Sequence, residues 1–359
     1  MVLRQGGGYN TIVTLSDQAI KEVNWWVNQV EVWNRKSLIN PNPAVIIQSD
    51  ASKKGWGAVC EKMCIGGIWL SGESQNHINV LELLAVTYAV KAFLKEKSDL
   101  QVLVQTDNKT AMTYINKMGG TQSAQCNQIA LDLWEWCLQR NIIIRADHIP
   151  GHQNLIADWE SRHHLDSSSW MLNPQLFQTL CQMTIDCNVD LFADRTNAQL
   201  PTYMSWLPDP HAVAYDALLH PWNNIKGYAF PPFCLIARCL KKTRMEKTTI
   251  LLIAPAWTTQ PWYATLLEMS VQDPVLLPVH PQTLIAPDGQ IHPLLQNESL
   301  QLVGWVDSGI ILDRIRYQRT LKNYFSVPGQ KEQTVLTTQP GISGHAGVWK
   351  GKLVHFRYL

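Results

Sequence analysis

Apolar residues recur at helical spacing over residues 15 to 37, with Trp25, Trp26 and Trp33 among them, until Pro41-Asn42-Pro43 breaks the pattern. A lead-in helix and a linker are predicted for residues 1 to 42. Short apolar runs follow at Ala44 to Gln48, Gly55 to Cys60 and Ile65 to Leu70, separated by turns containing Lys and Gly, which predicts three strands in an antiparallel meander. Next come a helix over Val80 to Phe93, a strand over Leu100 to Gln105, helices over Lys109 to Lys117 and Gln122 to Gln139, a strand over Ile142 to Ala146 and a helix over Gln153 to Arg162. The order is βββαβααβα, an α/β domain over residues 43 to 165.

Ser167 to Ser169 form a small polar joint, and the sequence beyond it is rich in proline and tryptophan, with a strand-like run at Thr249 to Ala254. A second α/β domain is predicted over residues 172 to 285. From 286 to 359 Pro and Gly are scattered without clear periodicity, which predicts an extended or partly disordered tail.

An apolar fraction of 46% over 359 residues is enough for two buried cores. No apolar run approaches the roughly 18 residues of a membrane span, and the start carries no leader pattern. The expectation is a soluble, intracellular protein, in the cytoplasm, the nucleus or both, with no membrane partner. The eight cysteines form no C-x-x-C pair and no zinc-finger spacing, so they read as reduced, mostly buried side chains. Over residues 43 to 165, 11 Lys and Arg stand against 12 Asp and Glu. Without a basic stripe, nucleic acid would be gripped weakly unless a partner supplied the charge.

Asp50 follows the first strand, Glu82 sits on an otherwise apolar helix face, Asp107 follows the fourth strand and Asp158 lies in the last helix. Each taken singly reads as a cap, turn or solvated residue. Together, four carboxylates converging in a poorly solvated site would repel by several kcal/mol unless cations compensated them. Oxygen-only ligands favour magnesium or manganese over zinc. Glu61, Asp132, Glu135 and Asp147 lie at ordinary helix or turn positions and read as solvated.

Ser49-Asp50-Ala51-Ser52, Gly55-Trp56-Gly57-Ala58, Asn79-Val80-Leu81-Glu82-Leu83, Thr106-Asp107-Asn108, and His148-Ile149-Pro150-Gly151 with Asn154, Ala157 and Asp158 resemble the retroelement ribonuclease H family. The Ile78 to Leu83 spelling and the Ser161-Arg162 ending resemble DIRS-type tyrosine-recombinase retrotransposons in particular. That resemblance implies a ribonuclease H-like fold with a five-stranded mixed sheet and metal-dependent cleavage of the RNA strand of an RNA:DNA hybrid. It also implies two Mg2+ or Mn2+ ions. One, between Asp50 and Asp158, serves the attacking water; the other, held by Asp50, Glu82 and Asp107, serves the leaving 3′ oxygen. Asn79, Ser52 and Asn108 are implied substrate contacts, Asn79 and the backbone near Ser52 toward ribose 2′-hydroxyls. Relatives place a histidine on a flexible Gly-rich loop well before the last Asp. Here only five residues separate His152 from Asp158, so both a catalytic residue and a solvated turn residue remain readings of it. Met118-Gly119-Gly120 leaves no room for a basic handle helix. No Tyr-x-Asp-Asp motif is present, so a reverse transcriptase polymerase module is an expected partner in cis or in trans.

Residues 172 to 270 are similar to phage-type adenine methyltransferases, which DIRS-type elements carry after their ribonuclease H. The likeness rests on Asp190-Leu191-Phe192-Ala193, Asn197, Asp216-Ala217-Leu218, Trp222 and Phe230-Pro231-Pro232-Phe233. It implies a Rossmann-like fold and S-adenosylmethionine as cofactor. Phe230 stands where such enzymes use Asp or Asn to accept hydrogen bonds from the target amine, and no G-x-G loop is evident. A Pro-Pro turn ending a buried strand is the other reading. Two functional alternatives remain for the chain: a DNA nuclease or transposase of the same superfamily, and a non-enzymatic binding or assembly module with a degenerate methyltransferase domain.

Overall fold

The computed structural model describes residues 12, 14–33, 42–163, 169–286, 289–324 and 344–359. The linker before Asn42, the joint at 164–168 and residues 325–343 of the expected tail lie outside the described residues. Helix α1 (Asp17–Trp33) leads in, with Val23, Trp25, Trp26 and Val27 exposed.

The first domain holds β1 (Val45–Ala51), β2 (Gly55–Cys60), β3 (Met63–Ile68), a short α2 (Ser71–Ser74), α3 (Ile78–Phe93), β4 (Gln101–Thr106), α4 (Lys109–Asn116), α5 (Ala124–Leu138), β5 (Ile143–His148) and α6 (Leu155–His163). Its sheet runs β3-β2-β1-β4-β5; the β3-β2-β1 part is antiparallel, and β1-β4-β5 is parallel. All of the expected strands and long helices form, and the sequence pattern missed the one-turn α2 and the 3-10 turn at Gly151–Gln153. Helix α3 is buried on nearly all sides because it lies between the sheet and α5. Trp134 enters this core and donates its indole N–H to the Ile115 carbonyl, whereas Trp136 stays half-exposed beneath the Arg140 guanidinium.

Helix α6 lies on the opposite face of the sheet, and two glycines of β2 allow it. A Cβ at Gly57 would come within 2.5 Å of the Ser161 amide nitrogen, and one at Gly55 would lie 3.2 Å from the Ser161 carbonyl oxygen. Trp56 between them points to the other face, where its ring meets Tyr88 edge-on at 5.6 Å. The Gly-Trp-Gly pattern therefore puts a large side chain on the α3 side and bare backbone on the α6 side.

The second domain contains β6 (Met171–Leu172), α7 (Pro174–Met183), β7 (Val189–Asp190), β8 (Met204–Ser205), β9 (Ala214–Tyr215), β10 (Lys226–Ala229), α8 (Ile236–Glu246), β11 (Thr249–Pro255), α9 (Tyr263–Met269), β12 (Val275–Leu276), β13 (Leu284–Ile285), α10 (Pro293–Gln296), β14 (Leu302–Ser308), α11 (Ile311–Thr320), β15 (His345–Trp349), β16 (Lys352–His355) and β17 (Arg357–Tyr358). Its main sheet runs β7-β10-β11-β14-β12-β17. Strands β7, β10 and β11 are parallel, and β14 enters antiparallel between β11 and β12.

The expected tail after residue 286 is thus corrected over its described parts. Leu302–Ser308 is wholly buried and pairs with β11 over seven residues, and β17 closes the sheet's far edge. A strand covered on both faces shows no apolar alternation, so this stretch offered no period to read. The second domain accordingly extends well past residue 285.

The two domains meet through a buried contact. Nη2 of Arg195, on the loop after β7, lies 2.7 and 2.6 Å from the two carboxylate oxygens of Glu73 on α2. The same guanidinium covers the Tyr88 ring at 4.8 Å, Tyr88 donates its hydroxyl to Glu73, and His211 meets the ring edge-on at 5.5 Å.

Candidate metal centre and active site

Strands β1 and β4 run side by side in parallel, so the acids at their carboxyl ends, Asp50 and Asp107, emerge together. Glu82 reaches the same point from the second turn of α3. Ligand oxygens of Asp50, Glu82 and Asp107 all lie within 4.8 Å of one another. Asp50 is 4% exposed and Glu82 5%, while Asp107 is half-buried.

Burial raises the Asp50 carboxyl to about 6, opposed by the Ser161 hydroxyl, with Asp107 and Asp158 pushing further up and Arg162 pulling down. Burial raises Glu82 to about 9, helped by the charges of Asp50 and Asp107 and opposed by the Ala51 N–H. Oε2 of Glu82 is buried and has no hydrogen-bond partner. Desolvated, mutually repelling carboxylates with an orphaned oxygen fit a divalent cation, whose charge would reverse the pressures that now favour protonation.

Asp158 stands apart from this group. It is part-exposed on the first turn of α6, and its Oδ1 accepts from Nε of Arg162 at 2.7 Å and from Nη2 at 2.5 Å. The structure therefore brings three of the four expected ligands together and pairs the fourth with an arginine. One residue earlier, Ser161 donates its hydroxyl to Oδ2 of Asp50 across 2.7 Å and lies within 2.8 Å of the Asp158 carbonyl. Asn154 is wholly buried and donates Nδ2 to the Ser49 carbonyl at 3.0 Å, fastening the start of α6 beside Asp50. Sequence reasoning gave Ser161, Arg162 and Asn154 no role in the site. The available signal was their spacing, since Asn154 lies four residues before Asp158 and Ser161 and Arg162 three and four after it, on one face of the helix.

The Ser52 hydroxyl is committed to structure: it donates to the Ser161 carbonyl at 2.7 Å and accepts from the Lys54 and Gly55 amides. Asn79 and Asn108 are joined at the rim, Nδ2 of Asn108 donating to Oδ1 of Asn79 at 3.0 Å while Oδ1 of Asn108 caps α4 through Ala111. His152 is exposed on the 3-10 turn at Gly151–Gln153, and a Cβ on its neighbour Gly151 would lie 3.3 Å from an Asp107 oxygen.

No protein-family model matches the chain. The chain is 30% identical over 130 residues to the enzymatic polyprotein of carnation etched ring virus, a match covering 33% of this chain and 19% of that one. It is 28% identical over 138 residues to the enzymatic polyprotein of figwort mosaic virus (strain DxS), covering 35% and 20%. The chain thus spans about a fifth of the length of these curated relatives. Among solved structures, RNase H1 from the halophilic archaeon Halobacterium salinarum NRC-1 aligns over 34% of this chain and 98% of its own, at 15% identity and a TM-score of 0.30. The prototype foamy virus protease-reverse transcriptase aligns over 38% and 19%, at 14% identity and a TM-score of 0.22. By its own strand order, the first domain has a ribonuclease H-like fold.

Most of the residues singled out in the second domain are engaged in local turns or in packing. Asp190 is 1% exposed, accepts from the Gln199 and Phe192 amides at 3.0 and 3.3 Å, and is raised by burial to about 7. Asn197 accepts from the Asp194 amide, and Asp216 accepts from the Leu218 amide, each closing a local turn. Phe230 follows β10 and packs against the cluster containing Leu251 and Ile253. Pro231 is buried, Pro232 is exposed, and Phe233 meets Trp257 edge-on at 5.1 Å. The Phe230-Pro231-Pro232 stretch leads from the end of β10 into the 3-10 turn at Phe233–Leu235 and on to α8.

Proposed function

We propose that the first domain is a metal-dependent ribonuclease H-type endonuclease that cuts the RNA strand of an RNA:DNA hybrid. The observation carrying this reading is the Asp50-Glu82-Asp107 group with its orphaned Glu82 oxygen. Bound Mg2+ or Mn2+ would supply an activated water and neutralise charge developing on the leaving oxygen. Asp50, Glu82 and Asp107 would hold the ions, Asp158 would join them, and Ser161 would keep Asp50 turned toward the group. The Asn79-Asn108 amide pair at the rim offers donors and acceptors to ribose 2′-hydroxyls, the groups that distinguish RNA from DNA.

The biological setting of this reading is reverse transcription of a DIRS-like retrotransposon, with a polymerase module in cis or in trans supplying the charge the nuclease lacks. The second domain is read as methyltransferase-like in descent and inactive toward adenine. It has no acceptor at Phe230, and the ring there is engaged in packing.

The test is hybrid cleavage by the purified chain with Mg2+ and with EDTA, beside Asp107→Asn and a DNA duplex of the same sequence. Cleavage confined to the hybrid, needing metal and abolished by Asp107→Asn, is expected. Equal cutting of the DNA duplex would favour a DNA nuclease, and no cutting under any condition would favour a binding module.

A further inference from the structure

Asp158 is the one member of the carboxylate set that already has a cationic partner. Two donors of Arg162 converge on its Oδ1, and the guanidinium also acts on Asp50, drawing its carboxyl downward. The pair spans one helical turn, so its geometry is built into α6 and does not depend on a distant element. It is nonetheless open to water: the Arg162 side chain is 58% exposed and that of Asp158 38%. An ion pair so exposed is worth little in stability and exchanges partners readily. Arginine's planar fork binds a phosphate as well as it binds a carboxylate. Around the mouth of a phosphodiesterase site, the competing partner is the backbone of the nucleic acid itself.

We propose that Arg162 is a positioning residue that couples substrate binding to completion of the metal site. Without nucleic acid it neutralises Asp158 and keeps that oxygen from a cation. When a hybrid docks, a backbone phosphate takes the guanidinium, and Asp158 is released to join Asp50. The inference deepens the nuclease reading and rests on it. It gives the chain a means of withholding its complete metal centre until a phosphodiester is in place, with no moving loop required.

The experiment counts Mn2+ bound to the full chain by electron paramagnetic resonance, first without nucleic acid, in the unmodified protein and in Arg162→Gln. Both proteins should bind a first ion at the Asp50-Glu82-Asp107 group. The variant should bind a second with roughly tenfold higher affinity, because a positive charge within several ångströms of a divalent ion has been removed. A first ion bound normally with an unchanged second would overturn the role of Arg162 alone. Absence of any bound Mn2+ in both proteins would overturn the metal reading beneath it. The hand-over is read separately, from hybrid binding in EDTA across a salt series. Losing one phosphate contact should make the salt slope shallower by about 0.9 in Arg162→Gln. Equal slopes would overturn the hand-over, and Arg162→Lys, which keeps the charge, should restore most of the slope.

Discussion

Arg195 and Glu73 lie 122 residues apart in sequence and form the most deeply buried ion pair between the two domains among the described residues, with the arginine side chain only 6% exposed. Its carboxylate is also held by Tyr88 and by the Leu70 amide. Burial pushes Glu73 upward, but these hydrogen bonds and the Arg195 charge outweigh it, leaving the carboxyl below its ordinary value.

Breaking that pair from one side leaves the other charge buried. Arg195→Ala or Glu73→Gln should therefore destabilise the chain by about 3 to 5 kcal/mol. Urea unfolding followed by tryptophan fluorescence should resolve two transitions in place of one as the domains uncouple. A single transition with an unchanged midpoint would show that the pair contributes nothing. Because the Glu73 carboxyl is depressed, its contribution is fully present above the ordinary carboxylate value and is lost as pH falls below that value toward the lower folded one.

Gly57→Ala should cost about 1 to 3 kcal/mol, since the added carbon meets the backbone of α6 and not a side chain that can swing away. Cleavage should fall further than stability, because α6 carries both Asp158 and the Ser161 that orients Asp50. Circular dichroism melting beside hybrid cleavage separates the two effects. An unchanged melting temperature would mean that helix and strand are not in contact there.

Asp50 and Glu82 are held above their unfolded values, to about 6 and about 9, so the folded protein without metal binds more protons than the unfolded chain between those limits. Stability without metal should fall as pH rises from about 4.5 through about 9. Asp190 and wholly buried Asp307 are raised by burial as well and add to the same trend. Saturating Mg2+ should flatten the share due to Asp50 and Glu82, and Glu82→Gln should raise the metal-free melting temperature at pH 8. A melting temperature that climbs with pH in EDTA would contradict this.

Labelled S-adenosylmethionine should transfer no methyl group to DNA, RNA or hybrid. Phe230→Asn is not expected to restore transfer, because it would place an unpaired amide against the Leu251 and Ile253 cluster, at a cost of about 2 to 4 kcal/mol. Robust transfer by the unmodified chain would refute this.

Much of the first domain was legible because its strands are short apolar runs between strong turn residues and its helices are long and periodic. Three of the carboxylates were legible from their joint placement: Asp50 and Asp107 end neighbouring strands and Glu82 lies on an apolar helix face, so that acids which singly look ordinary converge. Local pattern could not reveal that Asp158 is paired with Arg162, since an arginine four residues after an aspartate is usually only a solvated surface pair. Nor could it reveal Arg195 against Glu73, a contact made by the folding of two domains onto each other. Strand β14 was missed because burial on both faces erases alternation, and Phe230 was placed correctly at a strand end, where its ring proved to serve packing.

The position of β14 also bears on how the protein is made. Until residues 302 to 308 leave the ribosome, β11 has no partner on that side, and a strand of seven mostly buried residues presents an open edge. The first domain, complete by residue 163, can fold more than a hundred residues earlier. During synthesis the finished first domain would stand beside an unfinished sheet, and Glu73 and Tyr88 would be the first surface available to receive Arg195. A chaperone that shields exposed strand edges should therefore engage nascent chains that end between β11 and β14 and release those extended past Ser308.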